Sequence, residues 1–185
     1  MISSEFKELS PRRKKIDLLI SLSLGVVASA VYLSTLANYV FPGVSAKYMA
    51  VFSGIEPNLL PVYPLWGAVV SFASKLPLFS LALRLNFLSV IFSVVSVVLL
   101  YRIVSFLVYQ NVNEEYSVEY AEKVSIYSGV VAAVAMLFAV PVWQAATQLR
   151  VESFNLMLAF IMAFLLVQFA VRRWVWLLAL FGFIG

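Results

Sequence analysis

Two carboxylates and two cations, Glu56, Glu152, Lys47 and Arg150, are the side chains of this sequence best placed to do chemistry. The remaining acids lie in the N-terminal stretch (Glu5, Glu8, Asp17) or in the polar segment 110–123 (Glu114, Glu115, Glu119, Glu122), where they read as a wet face. A carboxylate at a membrane boundary can act as a general base, and Lys or Arg can hold a lipid-linked phosphate. The competing reading makes all four ordinary interfacial charges flanking helices, with Arg150 and Glu152 marking a helix start. The chain has no Cys and no His, so disulfides, thiol nucleophiles, zinc-finger spacings and imidazole catalysis are excluded together. It also has no glycine-rich phosphate loop and no paired carboxylates spaced to ligate a metal.

The elements that must position these groups are set by composition. The 185 residues are 63% hydrophobic and 12% charged, with mean hydropathy +0.98. A soluble domain carries about a quarter charged residues, so this excess cannot be hidden inside a globule and the lipid bilayer is the partner it demands. The net charge of +4 does not indicate nucleic acid. Four positives are packed into Arg12-Arg13-Lys14-Lys15 immediately before an apolar run, the pattern of a cytoplasmic anchor drawn to anionic headgroups.

Residues 1–15 read as a cytoplasmic basic tail, with Ser10-Pro11 the cap and first turn of a helix. The rest, 16–185, reads as a transmembrane domain with an all-α, polytopic fold. Spans are expected over about 17–40, 82–108, 124–140 and 153–171, with a partial span over 174–185. A signal peptide is the rival for the first, since Ala28-Ser29-Ala30 resembles a cleavage site, but apolar residues continue through Leu36. Ser21, Gly25 and Ser29 form a small-residue stripe for close helix approach. Val44, Tyr48, Val51 and Phe52 recur at helical spacing opposite Ser45 and Lys47, which predicts an interfacial helix in the first outer loop. Pro64 and Pro77 bracket a segment too short to cross alone, read as a short inserted helix over 64–76 with Tyr63 and Trp66 at headgroup level; whether 64–83 crosses is left open. Residues 110–123 read as a solvated loop with a surface helix. The apolar end at Gly185 is read as the mark of a fragment of a longer protein. Charge bias places the N-terminus, the 102–123 loop and Arg172-Arg173 in the cytoplasm, which gathers 41–84 and Pro141–Glu152 on the outer side.

An ordered set of short motifs carries a resemblance. Tyr63-Pro64-Leu65-Trp66-Gly67 is followed by Leu83-Arg84-Leu85-Asn86-Phe87-Leu88-Ser89, then by Val142-Trp143-Gln144-Ala145 leading to Asn155. Over roughly residues 16–185 the sequence resembles the N-terminal part of the bacterial protein O-mannosyltransferase-like membrane proteins of the GT-C glycosyltransferase superfamily. The resemblance implies a first outer loop with an acid that acts as base or metal ligand while sugar leaves a polyprenyl-phosphate donor. The departures fall in that loop. Val44 stands at the family's aspartate, Lys47 at its glutamate, and Leu59-Leu60-Pro61-Val62 where His-Pro-Pro-Gly is expected. Arg150 stands at the later glutamate, two positions before Glu152.

The resulting expectation is the N-terminal membrane module of a GT-C-like glycosyltransferase on the outer face of a bacterial inner membrane. Glu56 and Glu152 are its candidate catalytic acids, and Lys47 and Arg150 its candidate phosphate-binding residues. A divalent metal is the only cofactor the resemblance raises, and the sequence offers no ligand set for it. The alternative is a non-catalytic integral membrane subunit or truncated remnant acting through helix packing with other membrane helices. A transporter is disfavoured by the lack of any buried charge expected within a span.

Overall fold

In the computed structural model, which describes residues 9–55, 63–77 and 79–172, every regular element is helical. Helix α1 (Pro11–Ser34) starts where the sequence sets its cap: the Ser10 hydroxyl accepts the Arg13 amide at 3.1 Å, and Pro11 occupies the first turn, where no N–H is needed. Helix α2 (Val44–Phe52) is bounded by two glycines at positive φ, Gly43 at 96° and Gly54 at 77°. Ile55 N–H reaches the Ala50 carbonyl and Gly54 N–H the Val51 carbonyl, a Schellman closure that needs a residue without Cβ at position 54.

Helix α3 (Pro64–Ser74) starts on its own proline. Its C-terminal carbonyls are taken by Arg84 of α4 (Leu81–Glu115), whose Nη1 donates to Ser74 at 2.7 Å and Ala73 at 3.3 Å. A guanidinium at this helix end also complements its dipole. Arg84 is thus a fastener rather than a charge reaching into headgroups.

Helix α4 runs on through Gln110–Glu115, which the sequence reading placed in a loop. Those residues are polar but include no Gly or Pro, and Asn111 Nδ2 bonds the Leu107 carbonyl one turn back, so the helix continues. At 35 residues it is about 50 Å long, well beyond the ~30 Å of hydrocarbon. Ser117 then caps α5 (Val118–Leu137). Helix α6 (Val140–Thr147) is short, and α7 (Val151–Arg172) leaves it at 114°. Among the described residues α1, α4 and α5 are long and apolar enough to cross a membrane, and the bent α6–α7 pair makes a fourth if it counts as one broken span. This is a multi-pass membrane protein.

The chain divides into two compact units. The first comprises Met1–Val26, Ser96–Met136 and Ala159–Gly185. Its centre is polar. Arg13 and Asp17 are 1% and 5% exposed, so Arg13 is no headgroup anchor, although Arg12, Lys14 and Lys15 are exposed. Arg13 Nε bonds Asp17 Oδ2 at 3.1 Å, its Nη2 bonds Ser105 Oγ at 2.6 Å, and its Nη1 donates to the Glu122 carbonyl. Tyr101 O–H donates to Asp17 Oδ1 at 2.7 Å. The expectation that no span buries a charge is therefore corrected: the partner that makes burial tolerable sits one helical turn away.

Gly129 of α5 packs against α4 so closely that a Cβ there would lie 2.9 Å from Ser105 Cβ and 3.0 Å from the Tyr101 carbonyl. Because backbone cannot yield, Gly129→Ala is expected to force the helices apart and cost about 1–3 kcal/mol in a reversible unfolding titration. A change within error would contradict the packing.

The second unit, Val27–Val95 with Leu137–Leu158, is built around one apolar cluster. Trp66, fully buried, sits in it with Met49, Val70, Leu85, Leu149 and Phe154. Tyr48 and Phe52 pack edge-on against its indole, with centroids 4.7 and 5.7 Å away. Trp66 is thus core and not an interfacial anchor. The inward face of α2 is only partly the expected one: Tyr48 and Phe52 do pack inward, but Ser45 and Met49 are buried while Val44 is half exposed.

Candidate functional site

The second unit positions those expected site residues that are described. The chain between α6 and α7 has no helical hydrogen bonds of its own, and α4 supplies them. Asn86, fully buried, accepts the Leu149 amide at 2.7 Å on Oδ1 and donates from Nδ2 to the Ala37 carbonyl, also at 2.7 Å. Ser89, one helical turn on, accepts the Arg150 amide at 3.4 Å. Ala37 N–H in turn bonds the Thr147 carbonyl at 3.3 Å, and Trp143 Nε1 bonds Thr35 Oγ1 at 2.9 Å. In an apolar medium unpaired backbone groups cost several kcal/mol each, so a break in a span persists only with such partners. The motif read as Arg84…Asn86…Ser89 is therefore a set of clasps for α3 and for the α6–α7 break.

Arg150 sits at that break, half-buried, with its Nε enclosed and without a hydrogen-bond partner among the described residues. An enclosed guanidinium N–H with nothing to donate to is costly unless an acceptor joins it. Glu152 follows in the first turn of α7, exposed, where a carboxylate is favoured by the helix dipole. It also lies near α2. The Tyr48 phenol is pushed above its ordinary 10.0, chiefly by burial and then by the Glu152 carboxylate and Tyr63. Lys47, next to Tyr48 in sequence, is exposed on α2. Glu56 and the 59–62 segment lie outside the described residues.

So Arg150 and Glu152 share the break, and the Glu152 charge is close enough to act on Tyr48. Lys47, Arg150 and Glu152 form no ion pair with one another among the described residues. Sequence reasoning did not pick out Tyr48 as a partner of Glu152, because its spacing marked it only as apolar face. It also took Asn86 and Ser89 as motif letters without their bonding role; a buried-position Asn in an apolar run was the available signal. A raised phenol favours the fold below pH 10 and loses that contribution as pH rises from 10 through the higher native value. Glu152→Gln is expected to lower the Tyr48 midpoint toward 10, read as the tyrosinate absorbance difference between the protein and its Tyr48→Phe variant. An unmoved midpoint would place Glu152 away from α2.

Among the described residues no three Asp or Glu side chains come together, and Glu152 stands alone at the break.

The family model described as the protein O-mannosyl-transferase TMEM260 N-terminal domain matches residues 60–181, most of the chain. The chain belongs to this family. No curated protein and no solved structure matches it. The segment matched to the TMEM260 N-terminal domain holds α3 through α7, and with them Arg84, Asn86, Arg150 and Glu152. Lys47 and Glu56 precede it. The mannosyltransferase part of the expected resemblance is thereby met.

Proposed function

We propose that this chain is the N-terminal membrane module of a GT-C-like glycosyltransferase that moves mannose from a polyprenyl-phosphate donor to a protein hydroxyl. Family membership supports the reaction class. The observation that carries the site is Arg150: an enclosed, partnerless Nε beside an exposed carboxylate at the break of a span. A guanidinium presents planar donors suited to phosphate oxygens. In this reading Arg150, with Lys47, holds the donor phosphate. The acceptor hydroxyl attacks the sugar C1, the C1–O bond to phosphate breaks, and polyprenyl phosphate leaves with the electron pair. The hydroxyl proton passes to a carboxylate, Glu152 or Glu56. The donor would sit on the outer face of the cytoplasmic membrane with the N-terminus cytoplasmic, an orientation that rests on the bias of Lys and Arg toward the N-terminal tail and Arg172-Arg173.

The test uses the full-length gene product reconstituted with polyprenyl-phosphate mannose. Losing a general base costs about 100-fold or more, so Glu152→Gln or Glu56→Gln should reduce transfer on that scale, and Arg150→Gln should weaken donor binding. Unchanged turnover in all three would overturn the assignment. One observation favours a second reading, a non-catalytic membrane subunit: Val44, half exposed, stands where the family's aspartate is expected and can neither accept a proton nor ligate a metal.

A further inference from the structure

The first unit holds a cavity of ≈ 30 Å³ lined by the polar Arg13, Asp17, Arg102 and Ser105 and by the apolar Leu9, Phe106 and Phe164. Its described charges are not all paired. Asp17 has both oxygens engaged, one by Arg13 Nε and one by the Tyr101 hydroxyl. Arg13 has every nitrogen engaged, with Asp17, Ser105 and the Glu122 carbonyl. Arg102, half-buried on α4, is left over: among the described residues nothing accepts a hydrogen bond from it. The Glu122 carboxylate, which accepts from Ser10 Oγ at 3.2 Å, also lies near Arg13, so Arg102 is the cation of this cluster without a bonded counter-charge among the described residues; the exposed Arg12, Lys14 and Lys15 add to the positive field.

We propose that this cavity binds the phosphate of an anionic lipid headgroup, with Arg102 as the residue that holds it. A charge at the edge of an apolar run is costly without a counter-ion, and basic pockets between membrane helices take anionic headgroups. The volume accommodates about two water-sized atoms, enough for two phosphate oxygens. What favours a lipid is the apolar part of the lining. Leu9, Phe106 and Phe164 supply an apolar lining next to the cations, where the start of an acyl chain is at home.

The full chain, purified in detergent, would be loaded with phosphatidylglycerol or with diacylglycerol of the same chains and weighed by native mass spectrometry. One phosphatidylglycerol per chain is expected, with diacylglycerol lost. Arg102→Gln should reduce retention about tenfold, and Arg102→Lys, which keeps the charge without the fork, should fall between. Lys75→Gln, which removes an exposed cation of the second unit, should leave retention unchanged, which separates a specific site from loss of positive charge in general. A thermal melt of Arg102→Gln matching the parent's confirms that lost binding is not lost folding. Inorganic phosphate is the competitor: retention of the lipid in its presence supports a headgroup site, and displacement overturns it. Equal retention by Arg102→Gln, or of diacylglycerol, also overturns it.

Discussion

Asp17→Ala is expected to destabilise the reconstituted protein by about 3–5 kcal/mol, since it strands a buried cation. Arg13 is 1% exposed, and its Nε loses its only acceptor, while the Tyr101 hydroxyl loses its own. Much of the cost comes from the charge left behind rather than from the bond removed. The paired replacement Arg13→Met with Asp17→Leu removes both charges and should recover most of the loss, because a buried ion pair is about neutral against apolar residues of similar volume. Reversible unfolding of the two variants and of the parent decides it. A double variant as unstable as Asp17→Ala would mean that the pair itself, and not the stranded charge, carries the stability.

Trp66→Ala should cost about 3–5 kcal/mol, the range for emptying the largest side chain from a packed centre. Trp66 is the largest fully buried residue, and Tyr48 and Phe52 meet it edge-on. Its indole N–H is buried without a hydrogen bond among the described residues, so Trp66→Phe loses area and no bond and should be far milder than Trp66→Ala. Equal losses for the two would show that the N–H has a partner. The loss should also reach the candidate site, since Leu149 and Val151, which flank Arg150, pack in the same cluster.

The all-α membrane fold was legible because uncharged runs and prolines report directly on lipid. Pro11 and Pro64 each begin a helix, and Pro141 lies in the first turn of α6. What could not be read is which partner satisfies which group. Arg13 belongs to a run of four like charges, yet it alone turns inward, because only its side chain meets Asp17, Ser105 and the Glu122 carbonyl together, contacts that span 109 positions. Trp66 beside Pro64 has the profile of an interfacial anchor, and only the folding of α2 over it makes it core. Polarity in 110–115 was taken for a loop, although a helix passing into water keeps its backbone bonds whatever its side chains. At the site, Glu152 and Arg150 were legible as charges at a break, while the proximity of Glu152 to Tyr48 depends on α2, far away in sequence.

The unbroken run of α4 into the two-residue turn before α5 has a mechanical consequence. Gly129 meets Tyr101 and Ser105 only while the helical phase between them is conserved. Each residue advances a helix by about 100°, so adding one anywhere in 106–115 would swing the hairpin partner a quarter-turn out of alignment. That stretch therefore behaves as a gear train with a fixed tooth count: side chains on its wet surface can be exchanged freely, whereas its number of residues cannot.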